Sequence, residues 1–155
     1  FMLKVFLNYL DKEQELEVMR KMSNMDFNYV PKAILSLKDI QAIRKEINEI
    51  TISETLERYI IELIFATRNP AEYGLTKEAD YIQFGASPRA SIHLNLAAKV
   101  MAYLEGRDYV LPEDIKEMTP DVLNHRILLT YEAEADNITT LQIIQTILGS
   151  VAINR

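Results

Sequence analysis

Cysteine is absent from the 155-residue sequence, which excludes disulfides, thiolate metal sites and a cysteine nucleophile. Glycine and proline number only 4 and 5, too few for a chain built of hairpins, so a mostly helical domain is expected. Histidine occurs twice, as His93 and His125, far apart in sequence and a poor basis for a metal site. No apolar run reaches the roughly 18 residues of a membrane span, because charges interrupt every one. Basic residues are outnumbered, 17 against 23 acidic, for a net charge of −6. Neutralising many phosphates takes a basic face, so nucleic-acid binding is not expected. The phosphate-cradling G-x-x-x-x-G-K-[ST] loop is missing, since the glycines are followed by Leu75, Ala86, Arg107 and Ser150 and never by lysine. H-E-x-x-H and G-x-S-x-G are missing too. By itself the chain is expected neither to hydrolyse ATP nor to hold a metal or cofactor.

The most informative stretch present is Phe84-Gly85-Ala86-Ser87-Pro88-Arg89-Ala90-Ser91. Serine followed by proline is a helix-start signal: the hydroxyl can cap an orphan N–H, and proline suits the first helical position. Ser87 is then the N-cap and Pro88 the first helical residue, which puts Arg89 in the first turn. A cation there is disfavoured by about 0.3–1 kcal/mol, because the helix dipole already presents positive charge. An anion such as phosphate would remove the conflict; the alternative is that Arg89 is a solvated residue near an ordinary cap. The helix runs to about Glu105, where Gly106 ends it. At 100° per residue, Arg89, Ile92, Leu96, Val100 and Tyr103 share one broad face, predicting a buried stripe with Arg89 at its end.

Elsewhere the pattern is also helical. Asp11 and Gln14 form a capping-box-like start for a helix over about 12–24, with Leu16, Met19 and Met22 as its stripe and Met19, Met22 and Met25 as core filler, a flexible binding surface being the alternative. Val30-Pro31 closes an extended connection that begins at Asn28-Tyr29. Ser36 caps an amphipathic helix of about 37–48. Thr51-Ile52-Ser53-Glu54 reads as a capping box before Leu56, Tyr59, Ile60, Leu63 and Ile64, the cleanest stripe in the chain and the expected centre of a bundle. Asn69-Pro70 stops that helix, and Ala71 to Asp80 reads as a polar loop. The β-prone segments 81–84 and 127–131 are expected to pair as a small two-stranded ribbon. A short helix follows from Pro112 to about Met118, with Glu113 and Asp114 complementing its dipole rather than acting as a carboxylate pair. Pro120 restarts a turn, His125-Arg126 reads as a structural hydrogen-bonding pair, with a catalytic or phosphate-binding role as the alternative, and Glu132, Glu134 and Asp136 lie in an acidic turn. Thr139 and Gln142 box the last helix, striped by Leu141, Ile144, Leu148 and Val151.

Taken in order, Ala66-Thr67-Arg68, Gly85-Ala86-Ser87-Pro88-Arg89-Ala90, Gly106-Arg107-Asp108-Tyr109-Val110-Leu111-Pro112-Glu113-Asp114-Ile115 and Val122-Leu123-Asn124-His125-Arg126-Ile127 resemble the C-terminal lid of MoxR-family AAA+ ATPases. The resemblance implies that residues 1–9, with the alternating Phe1 to Leu7, are the last strand and linker of an upstream AAA+ core, and that 10–155 form a helical-bundle lid. It further implies that Arg89 is the second sensor arginine, supported by Gly85, Ala86, Ser87 and Pro88. ATP and Mg²⁺ would sit on the core of a larger ATPase chain. Family members form homo-oligomeric rings, commonly hexamers, and act as chaperones, often on partners with von Willebrand A domains; the absence of cysteine fits a cytoplasmic chain. His93, where the family more usually has a small residue, and Tyr9-Leu10-Asp11, in place of a Tyr-Pro-containing segment, depart from the pattern without touching Arg89.

Two rival readings remain at this level. A stand-alone helical adaptor would bind a partner protein through an apolar groove and use no nucleotide. A DNA-binding helix-turn-helix could be assembled from helices 88–105 and 113–118, but the net charge counts against it.

Overall fold

The computed structural model describes residues 1–23 and 30–153. It is mostly α-helical with one two-stranded antiparallel ribbon. Helix α1, Lys12–Met22, carries the expected reciprocal Asp11–Gln14 capping box. The Met19 and Met22 side chains are exposed and α1 buries nothing, so neither is core filler here; Met25 and Asn28-Tyr29 lie outside the described residues. Helix α2, Leu37–Glu49, is boxed by Ser36 and Asp39.

The core is built on α3, Glu54–Arg68, which buries Leu56, Tyr59, Ile60, Leu63 and Ile64 as the spacing predicts. Its cap is Ser53, whose Oγ accepts from the Leu56 N–H, and not Thr51. Thr51 is committed elsewhere: its N–H donates to the Asp108 carbonyl at 2.9 Å, and its own carbonyl accepts from Val110 N–H at 3.0 Å. This parallel bridge to Tyr109 keeps the backbone extended, so the helix starts two residues later.

The segment expected as a polar loop after Pro70 is instead a 3₁₀ turn, Pro70–Tyr73, and the short helix α4, Thr76–Tyr81. Leu75 between them and Pro70 are buried, and Tyr73 and Tyr81 pack partly buried against the core, so apolar anchors along the segment fold it back onto the domain. Strand β1, Ile82–Phe84, then pairs with β2, Leu128–Leu129, with Ile82 opposite Leu129 and Phe84 opposite Leu128, as expected.

Helix α5, Pro88–Leu104, packs chiefly against α6, Pro112–Leu123, and against α3. Its C-terminus closes as a glycine cap should: Gly106 adopts φ +69°, its N–H reaches the Tyr103 carbonyl, and the Arg107 N–H reaches that of Ala102. Helix α6 is continuous through Pro120 rather than restarted by it. The Thr119 hydroxyl bonds the Ile115 carbonyl one turn back at 2.6 Å, a side-chain bond inside the turn that proline leaves short of a donor. The acidic turn is a short helix, α7, Tyr131–Ala135, capped by Thr130. Helix α8, Thr140–Ser150, has the Thr139–Gln142 box and buries Ile143, Ile144 and Ile147, while Leu141 stays partly exposed.

Phe1 to Leu7 forms no strand in this chain. Its backbone lies instead against the C-terminal end of α6, where Lys4 N–H donates to the Asp121 carbonyl at 2.9 Å. A strand needs a ladder partner, and the described residues offer this segment only a helix end.

Candidate functional site

The segment Gly85 to Arg89 leaves β1 and is pinned to the end of α3 before α5 begins. Thr67, fully buried, donates its hydroxyl hydrogen to the Ile64 carbonyl at 2.7 Å and accepts the Ala86 N–H at 2.9 Å. Arg68 Nε donates to the Ala86 carbonyl at 2.7 Å, and its guanidinium lies over the Phe65 ring. The approach is so close that a Cβ on Gly85 would stand 2.3 Å from the Thr67 carbonyl oxygen. Only glycine fits there without moving backbone. The resemblance named both segments, but nothing in their spacing said that they touch.

Ser87 has the extended backbone of an N-cap, yet its hydroxyl makes no capping bond. This corrects the expected side-chain cap: the backbone alone starts the helix, with Ala90 N–H bonded to the Ser87 carbonyl at 2.8 Å. Pro88 occupies the first helical position. The first turn is thus free of a side-chain acceptor, and Arg89 stands on it exposed to solvent.

The face of α5 that carries Arg89 is not the buried one. Ala90, Leu94, Ala97, Ala98 and Ala102 face the core, whereas Ile92 and Leu96 are 60% and 39% exposed. Small residues win the inward face because α3 and α6 approach closely there, and alanine permits short interhelical distances. Ile92 and Leu96 instead line an open groove of about 380 Å³ with Ile60 and Ile61 of α3. Arg89 therefore ends an exposed apolar stripe.

One turn further along α5, His93 shares the face of Arg89. Its Nδ1 lies 2.6 Å from Arg126 Nη2, and since guanidinium only donates, Nδ1 accepts and the ring is neutral with its hydrogen on Nε2. Burial, reinforced by the charges of Arg126 and Arg89, pushes the His93 pKa below its ordinary value. Burial and Arg89 lower that of Arg126 as well. Arg126 is otherwise braced by backbone, with Nε on the Val122 carbonyl at 2.9 Å and Nη2 on the Phe1 carbonyl at 2.6 Å. The structural hydrogen-bonding role expected of the His125-Arg126 pair is met by both, His125 Nε2 lying 3.4 Å from the same Phe1 carbonyl.

Among the described residues the ion pairs are Glu17–Lys21, Glu54–Arg58 and Arg107–Asp114. None involves Arg89 or Arg126, so among the described residues the two arginines beside His93 form no ion pair. That donor set fits an anion. No group of three or more His, Cys, Asp or Glu able to hold a metal occurs among the described residues.

Residues 75–147 match the family model described as AAA lid domain. Over 153 residues, 99% of this chain and 40% of the relative, the sequence is 37% identical to Chaperone MoxR1 of Mycobacterium tuberculosis. It is 45% identical to Protein MoxR of Paracoccus denitrificans over 82 residues, covering 50% of this chain and 24% of the relative. A crystal structure of a Cytophaga hutchinsonii protein superposes on the whole chain with a TM-score of 0.95 and 64% identity, over 47% of that protein's length. The chain thus spans less than half the length of each of these relatives.

Proposed function

We propose, from the premise that this chain is a C-terminal lid domain of the MoxR family of AAA+ ATPases, that it supplies Arg89 as the sensor of a nucleotide's terminal phosphate. The carrying observation is the placement of Arg89: an exposed arginine on the first turn of α5, with no carboxylate partner among the described ion pairs. The nucleotide itself would sit on an ATPase core elsewhere in the full-length protein, and ATP with Mg²⁺ supplies the phosphoanhydride that is cleaved.

This chain's residues do the positioning. Thr67, Arg68 and Gly85 fix where α5 begins. Arg89 then projects from a rigid element and can hold a phosphate oxygen by a charge-assisted contact. The exposed Ile92 and Leu96 beside it are the surface on which the lid rests against the core. Losing the contact at Arg89 shifts a lid–core equilibrium balanced within a few kcal/mol, which turns cleavage into movement. On this reading the protein works in the cytoplasm as a homo-oligomeric ring, commonly a hexamer, that remodels partner proteins, those with von Willebrand A domains among them. Family membership supports the ATPase core and the assembly.

The test is ATP affinity and steady-state turnover of the full-length protein with and without Arg89→Ala. A fall in turnover of tenfold or more, about 1.4 kcal/mol of transition-state stabilisation, with an unchanged melting temperature, is the expected result. Unchanged affinity and turnover would remove the sensor role, and a full-length protein that binds no nucleotide would favour the helical adaptor.

A further inference from the structure

We propose that Arg126 is a second phosphate-contacting arginine, and that it holds the polyphosphate tail of the nucleotide together with Arg89. The inference rests on the nucleotide reading above and adds to it a ligand from a different element, the end of α6.

The argument begins with a count of donors. A guanidinium has five N–H groups in a fixed fork. Arg126 commits Nε to the Val122 carbonyl and Nη2 to Phe1, to His93 Nδ1 and, at 3.4 Å, to the Met2 carbonyl. All four acceptors are served by Nε and Nη2, so the two hydrogens of Nη1 are unspent. His93 has likewise given its acceptor to Arg126 and keeps an Nε2–H to offer. Every group that Arg126 bonds is neutral, and no ion pair among the described residues involves it.

The second step is the neighbourhood. Arg89 lies one turn before His93 on the same face of α5, and Arg126 touches His93 directly. Two arginines this close repel, and the repulsion grows as water is excluded. An anion between them reverses its sign. A polyphosphate suits the arrangement better than a single small anion, because it presents several oxygens to donors on two elements.

The third step is rigidity. Arg89 is exposed, whereas Arg126 is held by backbone carbonyls at Nε and Nη2. A donor already immobilised loses little further freedom on binding. Arg126 therefore contributes to affinity for the tail whether or not the lid is fully closed, and Arg89 reports closure. The His93 side chain, unexpected at its position, acts as the neutral spacer that orients Arg126 without adding charge.

The experiment is calorimetric binding of ATP and of AMP to the full-length protein, comparing wild type with Arg126→Gln, Arg126→Lys and Arg89→Gln. Arg126→Gln is expected to weaken ATP about tenfold while AMP, which lacks the tail, binds as before; Arg126→Lys should recover part of the loss. ATP affinity unchanged in Arg126→Gln, with a loss in Arg89→Gln, overturns the role of Arg126 and leaves the sensor standing. An equal loss for ATP and AMP also overturns it, since that marks a merely structural tether of Phe1 and Met2. ATP weakened by Arg126→Gln but untouched by Arg89→Gln supports the second arginine and removes the sensor.

Discussion

Helices α2 and α3 are written almost alike. Each follows a serine N-cap whose hydroxyl accepts the N–H three residues on, and each places Leu and Ile at three- and four-residue spacing. Yet α3 buries seven residues and α2 none, with Leu37 and Ile40 open to solvent. Helix α1 shares the fate of α2. Periodicity specifies that a helix has an apolar face; it does not say what covers that face. For α3 the cover is α5, β1 and α8, whereas α2 touches α5 along one edge, helped by a bond from the Tyr103 hydroxyl to Glu46 at 2.8 Å.

The comparison is broken most directly by deleting the same kind of side chain from each helix. Leu63 is wholly buried on α3, and Leu63→Ala should cost about 3–4 kcal/mol, the removed methylenes plus a cavity that its neighbours cannot fill. Ile40→Ala on α2 should stay within about 0.5 kcal/mol. Urea unfolding of the chain measures both. A large loss from Ile40→Ala would mean that α2 is part of the same cooperative unit, and that its exposed face has a cover the single chain does not reveal.

A smaller difference concerns ion pairs. The α1 pair, Glu17–Lys21, lies in solvent, and Glu17→Gln should leave melting unchanged. Asp114 is buried and receives both arms of Arg107, at 2.9 and 2.6 Å, and the Leu111 N–H at 2.8 Å. Burial opposes its charge, but the bonds from Arg107 and Leu111 prevail and hold its pKa below the usual value. Asp114→Asn should cost roughly 2–3 kcal/mol, less than a fully buried pair because a fifth of the Arg107 side chain remains exposed. The depressed folded pKa also sets the pH dependence. Stabilisation is complete above the unfolded value, about 3.9, and disappears as pH falls through the folded one. The wild type should therefore lose stability below about pH 4, and Asp114→Asn should flatten that limb. An acid limb identical in the variant would assign it to other carboxylates.

These contrasts show which parts of the molecule could be read in advance. The α3 stripe, the Gly106 terminus, the 82–84 with 128–129 ribbon and the boxes at Asp11, Ser36 and Thr139 are local patterns that folding kept, whereas the Thr51 box and the Ser87 side-chain cap, equally local, gave way. The inward face of α5 was hidden because Ile92 and Leu96 outrank alanine on any hydrophobicity scale, while close packing against α3 and α6 selects alanine. The candidate site divides in the same way. Arg89 on the first turn of α5 followed from Ser87-Pro88. The contacts of Gly85 with Thr67, and of His93 with Arg126, join residues 18 and 33 positions apart, and no spacing encodes them. One signal was present: His93 stood where the family pattern leads one to expect a small residue, and that is the position which meets Arg126.

The finest test compares the two serine caps. Replacing an N-cap serine by alanine typically removes about 1 kcal/mol from the helix it starts. Where that helix unfolds only with the whole domain, the loss appears in global stability; where it opens by itself, the loss stays local. Ser53→Ala should therefore lower the global unfolding free energy by about that amount, because α3 carries the core. Ser36→Ala should leave the global value alone and speed amide exchange only within Leu37–Glu49. Exchange rates read residue by residue separate the two cases. Faster exchange in α3 or α5 after Ser36→Ala would join α2 to the core, and the difference between the two helices would then be one of exposure, not of cooperativity.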